Sequence, residues 1–175
     1  MSVHWVVFSA NEERAGEARD SARVFLTRAQ ENHVEVKNYR DGFFPFLGAQ
    51  IKDDFETLKR QFCPDVVLTH YRDDRHQDHR LISDLTWNTF RNHLILEYEI
   101  PKYDGDMGQP NFFVPLDKSV AAQKVKHIVD SFKSQHEKQW FDEQTFQALL
   151  RLRGMEANSP TGFAEAFYCR KLVLR

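Results

Sequence analysis

Short apolar runs alternate along this chain with longer segments whose apolar residues recur at helical spacing. Four runs contain β-branched residues and predict strands, at residues 3–8, 34–36, 66–69 and 94–99. Three segments between them carry apolar residues on one face and predict helices, at residues 11–28, 51–62 and 80–92. Alternation of strand and helix is typical of a parallel sheet flanked by helices, so we predict an α/β fold.

The second half of the chain departs from this rhythm. Residues 101–115 contain Gly105, Gly108 and Pro110 among polar and aromatic residues, which predicts a long irregular segment. Such segments in compact domains are usually functional. Two further helices, each opened by an aspartate, and a last strand are predicted at residues 117–136, 142–153 and 164–174.

The composition is that of one ordinary globular domain spanning residues 1–175. The formal net charge is −2 and no basic stripe is present, so we expect no nucleic-acid partner. No apolar run is long enough to span a bilayer and no signal-peptide pattern is found, so we expect a cytoplasmic protein. Cys63 and Cys169 are too few for a disulfide framework and are expected to be reduced core thiols.

Candidate chemistry is concentrated in residues 70–80, which hold three histidines and three aspartates. This segment directly follows the apolar run at 66–69, as expected where a buried strand delivers side chains to the carboxyl edge of a sheet. Such a cluster can supply a metal ligand, an acid or base, and a carboxylate that orients an imidazole. The alternative is a solvated turn with surface ion pairs, which composition alone does not exclude. The position after a buried strand favours a site.

The same segment resembles a known family. Residues 64–70, Pro-Asp-Val-Val-Leu-Thr-His, and residues 76–80, His-Gln-Asp-His-Arg, are similar to the second signature of the LmbE/PIG-L family of zinc-dependent N-deacetylases. The resemblance continues through residues 85–91, 94–106, 152–156 and 164–167. The resemblance implies a Rossmann-like parallel sheet flanked by helices. It also implies hydrolysis of an N-acetyl group, with Zn²⁺ as cofactor. The implied substrate is a small molecule, an N-acetylglucosamine-type sugar or its conjugate.

The resemblance also implies roles for particular residues. His79 is the zinc ligand through a neutral imidazole nitrogen. His76 donates a hydrogen bond to the carbonyl oxygen as the tetrahedral intermediate forms, and Asp78 keeps the His76 ring protonated and oriented. Arg14 matches the arginine of the family's Arg-x-x-Glu-Ala, which faces the substrate pocket; the alternative is an ordinary ion pair within the first helix.

Other polar residues are open to two interpretations. His70, at the end of a strand, either supports the cluster from behind or caps the strand, and we favour the first. Asp41 either faces the pocket or forms a turn with the glycine that follows it. His4 alternates with apolar neighbours and is interpreted as a strand histidine with satisfied hydrogen bonds. Asp73 and Asp74 either bind a metal or are solvated, and their position in a loop favours solvation.

One departure from the family changes these expectations. Its earlier signature, Ala-His-x-Asp-Asp, supplies two metal ligands and the catalytic base, and this sequence has no such string. We therefore expect the family's first strand, one helix and most of the metal site to be missing, and favour a fragment or wrongly chosen start over a non-catalytic sugar-binding or interaction domain. We expect the chain as written to be inactive, to bind zinc weakly, and to be marginally stable or to self-associate as a homo-oligomer.

Overall fold

The computed structural model describes residues 1–172. Its strands are β1 Ser2–Val7, β2 Glu31–Val36, β3 Val66–His70, β4 Leu94–Tyr98, β5 Phe112–Pro115 and β6 Ala164–Cys169. Its helices are α1 Glu12–Phe25, α2 Gly48–Gln61, α3 Gln77–Thr89, α4 Lys118–Ser131 and α5 Glu143–Glu156, with short 3-10 turns at Phe44–Leu47 and Lys133–Gln135. Within this part of the chain, no helix has the length and apolar content that crossing a membrane requires.

The strands form two sheets. β1 and β2 pair in parallel, and a four-stranded sheet has the order β3-β4-β6-β5. In the larger sheet β3 and β4 are parallel, whereas β6 is antiparallel to both β4 and β5. Parallel strands flanked by helices confirm the predicted α/β, Rossmann-like class.

Several predicted boundaries are wrong. The segment 101–115 is not irregular throughout, because its last four residues form β5; this strand is short and ends in proline, which sheets tolerate at an edge. The last strand ends at Cys169 rather than 174, and positions 173–175 lie outside the described residues. Cys63 is exposed rather than in the core, because it lies just beyond the end of α2.

Helices cover the sheets from both sides. On one side α2 and α3 pack against each other and share an apolar core with β4, formed by Phe44, Ile51, Phe55, Ile82, Phe90 and Ile95. On the other side α4 and α5 enclose a smaller cluster of Ala121, Val125 and Leu150. Ile51 is fully buried in the larger core, and truncating such a side chain to alanine typically costs about 2–5 kcal/mol. The larger core therefore sets the position of the helix that follows β3.

Within residues 1–172 four strands have an unpaired edge, β1 and β2 in the smaller sheet and β3 and β5 in the larger one. Among the described residues β1 pairs only with β2, and β3 pairs only with β4. The prediction that residues 66–69 form a fully buried strand is wrong on one face, since Val66 is 45% and Leu68 is 59% exposed. The opposite face of β3 is covered by α3, where the Thr69 and Thr86 hydroxyls lie 3.0 Å apart. An unpaired edge with exposed apolar side chains favours association with another strand.

Candidate active site

The residues predicted from the sequence converge where parallel strands end. Arg14 lies in the first turn of α1 after β1, Asp41 follows β2, and the histidine cluster follows β3. Asp41, His76 and Asp78 each offer one donor atom, and these atoms lie within 4.8 Å of one another. The guanidinium Nη1 of Arg14 is 4.0 Å from Asp41 Oδ2, so Arg14 pairs with the site rather than with a neighbour on its own helix.

Helix α3 begins earlier than the sequence predicts, and this places the cluster. His76 is the N-cap residue, so Asp78 and His79 lie in the first turn of the helix instead of in a loop before it. The carboxylate of Asp78 is buried and accepts hydrogen bonds from the backbone N–H groups of Gly42 at 2.6 Å and Phe44 at 3.0 Å. A carboxylate is favoured at a helix N-terminus, where the peptide dipoles point their positive end.

These bonds differ from the expected partnership between Asp78 and His76. Both Asp78 oxygens hold the loop after β2, and this loop carries Asp41. Gly42 has a φ of +80°, a left-handed conformation in which glycine is the unstrained residue, so the turn can present its N–H to Asp78. Within residues 1–172 the Nδ1 atom of His76 is buried without a hydrogen-bond partner. Orientation of His76 by Asp78 therefore stays a prediction from the family resemblance.

Three imidazole rings lie in contact at the end of β3. The rings of His70 and His79 are stacked, parallel within 5° at a centroid distance of 4.0 Å, and the ring of His76 is tilted by 31° against His79 at a centroid distance of 4.5 Å. Burial, together with a smaller effect of the neighbouring His79, lowers the pKa of His70 to about 3. His70 is therefore a neutral ring that supports His79, in line with the interpretation favoured from the sequence.

Asp74 holds His79 from the opposite direction, and the prediction that Asp74 is solvated is wrong. Its side chain is 4% exposed, and Oδ2 lies 2.9 Å from His79 Nδ1. Burial alone would raise the pKa of Asp74, but hydrogen bonds from the His79 ring, the His76 N–H and the Lys102 ammonium outweigh burial and hold this pKa well below its usual range. Because Asp74 is then an ionised acceptor, Nδ1 of His79 carries a proton, and Nε2 is the nitrogen that holds the lone pair in the neutral tautomer.

A lysine missed by the sequence analysis ties the long loop after β4 to this site. The Lys102 ammonium is buried between Asp74 Oδ1 at 3.1 Å and Asp106 Oδ2 at 2.5 Å. Asp106 also accepts the N–H of Arg75 at 2.7 Å. The carboxylate of Asp106 therefore fastens the loop after β4 to the segment that follows β3. The only local signal was the spacing of four residues between Lys102 and Asp106.

The donor set fits the metal that the family resemblance implies. Zinc takes imidazole nitrogens and carboxylate oxygens, with three protein ligands in catalytic sites. His79 offers Nε2 with its tautomer fixed by Asp74, the kind of carboxylate partner that metal-binding histidines commonly have. Asp41 offers an exposed carboxylate beside the His76 ring, whose buried Nδ1 is without a partner in the described chain. Among the described residues the preformed group of three ligand atoms is Asp41, His76 and Asp78, and His79 lies next to this group through its ring contact with His76.

The sequence also matches a family model. The PIG-L model, described as GlcNAc-PI de-N-acetylase, matches residues 4–90. The matched segment contains Arg14, Asp41 and the whole cluster from His70 to His79. We found no match among curated proteins.

Solved structures share the fold at low identity. The conserved protein TT1542 from Thermus thermophilus is 18% identical with a TM-score of 0.69, and the match covers 99% of this chain and 84% of that one. N,N'-diacetylchitobiose deacetylase from Pyrococcus horikoshii is 18% identical with a TM-score of 0.65, covering 95% of this chain and 72% of that one. The 4-carboxy-2-hydroxymuconate hydratase GalB from Pseudomonas putida is 15% identical with a TM-score of 0.64, covering 99% and 86%. Since a deacetylase and a hydratase share the fold, the fold alone does not identify the reaction.

Proposed function

We propose, because this chain belongs to the PIG-L family, that its site removes the N-acetyl group from an N-acetylglucosamine-type sugar or conjugate with the help of zinc. The observation that carries the proposal is the ring of His79. It lies in the first turn after β3, its Nδ1 is bound to the buried Asp74, and its Nε2 is left to bind a metal. A structural histidine on a helix does not need this arrangement.

The protein's own residues position the substrate. His79 would hold the ion, with a carboxylate oxygen of Asp41 as a further candidate ligand. When bound, zinc supplies a water of lowered pKa, about 7, and polarises a carbonyl oxygen. We assign to His76 a hydrogen bond to the amide carbonyl, where one lost donor typically costs about 100- to 1000-fold in rate.

Two further residues are suited to bind the sugar. The carboxylate of Asp41 is 65% exposed at the mouth of the site and can accept hydrogen bonds from hydroxyl groups. The guanidinium of Arg14 lies beside it and can donate them. Their exposure suits a polar ligand that leaves and enters from solvent, such as a small amino sugar.

The alternative is a sugar-binding domain that does not hydrolyse its ligand. It is favoured by the hydrogen bonds of Asp78, because each of its oxygens already accepts a backbone N–H, from Gly42 or Phe44, and could bind a metal only through a remaining lone pair. The metal would then depend mainly on His79 and the exposed Asp41. Such a set would hold zinc weakly, as we expect from the sequence.

One assay separates the two functions. Acetate release from N-acetylglucosamine and its methyl glycoside is measured with added zinc for the parent protein and for His79→Ala, with His136→Ala as a control away from the site. Release by the parent and the control that a chelator abolishes, and that His79→Ala lacks, supports the deacetylase. Binding of the sugar in calorimetry without acetate release at saturating zinc supports the alternative. A small-molecule partner, a cytoplasmic location, a single domain over residues 1–175 and homo-oligomerisation stay predictions.

A further inference from the structure

We propose that His4, His33 and Glu35 form a second metal site, which takes a divalent transition metal such as zinc and links β1 to β2. The three residues belong to neither the histidine cluster nor the loops around it. They lie within the two-stranded sheet, whereas the candidate active site follows the carboxyl ends of the strands. The inference is independent of the proposed deacetylase function.

The strand register brings the three donors together. His4 of β1 lies directly opposite His33 of β2, and Glu35 follows two residues later on the same face of β2. The imidazole centroids of His4 and His33 are 4.6 Å apart. One ligand atom from each of the three residues lies within 4.8 Å of the other two. Two imidazoles and one carboxylate are a ligand set that zinc uses.

The histidine of β1 supplies the observation that points to a ligand. Both ring nitrogens of His4 are buried, and neither has a hydrogen-bond partner in the part of the chain that the structure describes. The interpretation of His4 as a strand histidine with satisfied hydrogen bonds is therefore wrong. Buried polar atoms in native proteins almost always have a partner, and an unsatisfied one calls for an explanation such as a bound ion.

The distance between the facing atoms of His4 and Glu35 suits two ligands of one metal ion better than a hydrogen bond. His4 Nε2 and Glu35 Oε2 are 3.6 Å apart, which is too long for a hydrogen bond. Two donors on a tetrahedral zinc, each about 2.1 Å from the ion, are about 3.4 Å apart.

Glu35 is oriented for this role by its neighbour Lys37. The ammonium of Lys37 binds Oε1 of Glu35 at 2.6 Å and Oδ1 of Asp54 at 2.9 Å. The other Glu35 oxygen, Oε2, is the one that faces His4. A carboxylate held by an outer partner in this way has one oxygen directed at the ion.

The site opens to solvent on one side. His33 and Glu35 line a cavity of about 400 Å³ that also borders α2. On the other side His4 packs edge-on against Phe62 at a centroid distance of 3.9 Å. The three residues would thus offer one ligand atom each, and a metal held by them could be reached from the cavity. A metal bound there would stabilise the β1–β2 pair, which has no other strand partner within residues 1–172.

The test is zinc binding in a His79→Ala background, which removes the proposed catalytic ligand. Calorimetry and cobalt absorption spectra are recorded for this His79→Ala parent and for three variants that carry one further substitution. The further substitution is His33→Ala, Glu35→Gln or, as the matched control, His136→Ala. We choose His33 and Glu35 because His4 packs against Phe62 and its loss could unfold the sheet.

We expect the parent and the control to bind one zinc per chain, with a rise in Tm and a tetrahedral cobalt spectrum. The affinity for zinc should fall at least about tenfold in the His33→Ala and Glu35→Gln variants. Loss of a residue that only hydrogen-bonds to a metal ligand already costs about this much, and loss of a ligand itself should cost no less. Equal zinc affinity in all four proteins, or no zinc bound by a folded parent, would overturn the proposal. Either result leaves the deacetylase proposal intact, because that proposal depends on His79.

Discussion

The stability of this protein should depend on pH through His70. The ring of His70 is buried, and burial lowers its pKa from 6.5 to about 3. In the unfolded chain the same ring takes up a proton below pH 6.5, whereas in the folded protein it stays neutral. A group with a lowered pKa in the folded state stabilises the fold fully above the unfolded pKa, and this stability is lost as the pH falls towards the folded pKa.

The size of this pH-dependent contribution to the free energy of unfolding follows from the shift in the pKa of His70. Between pH 6.5 and 3 the contribution falls by about 1.4 kcal/mol per pH unit. Integrated from pH 7 to pH 5, where the folded ring is still neutral, it amounts to about 2 kcal/mol. We expect His70→Gln to remove this loss, because glutamine does not titrate. The difference in free energy of unfolding between the parent and His70→Gln should therefore shift by about 2 kcal/mol in favour of the variant.

Urea unfolding of metal-free protein at pH 7, 6 and 5, with a chelator present, measures this difference. Tyr98→Phe is the matched control, because it removes the hydroxyl that lies 3.5 Å from His70 Nε2 and keeps the histidine. Burial raises the pKa of Tyr98, so its phenol stays protonated throughout this range. The control should keep the pH dependence of the parent. A parent-minus-variant difference that is the same at pH 7 and pH 5 would show that His70 takes up its proton equally well in the folded and unfolded protein and would refute the reasoning.

Three other perturbations test the remaining contacts. Asp74→Asn should weaken zinc binding by about 10- to 100-fold in calorimetry, because His79 loses the ionised acceptor that fixes its tautomer; unchanged affinity would mean that the ring is held by stacking alone. Asp78→Asn should lower the free energy of unfolding by about 1–3 kcal/mol in urea, since the Gly42 N–H loses a charged acceptor; a larger effect on catalysis with no loss of stability would favour the role expected from the family. Leu68→Lys should reduce self-association in sedimentation velocity, because it places a charge on the exposed face of β3. A parent that is monomeric at all concentrations would contradict the interpretation that the unpaired edge of β3 favours self-association.

Much of the site was predictable because its residues are local in sequence. The run at 66–69 is apolar and the next ten residues are polar, so a strand end with reactive side chains could be predicted without a structure. The sequence could not predict which carboxylate accepts the hydrogen bond of His79. Asp73 and Asp74 are adjacent and chemically identical, and only the packing of the loop after β4 makes Asp74 buried and gives it Lys102 as a partner.

The sequence by itself determined the alternation of strand and helix, the position of the histidine cluster after a strand, and the family, because each depends on spacing within a short stretch of chain. Only the tertiary structure decided which polar atoms have partners. His4 and His33 are 29 positions apart, and Asp78 and Gly42 are 36 apart, so register and loop packing bring them together. The tertiary structure also decided that β1 and β3 each have an unpaired edge. The pattern of apolar residues in a strand shows which of its faces can be buried, but it does not show which strand pairs with it.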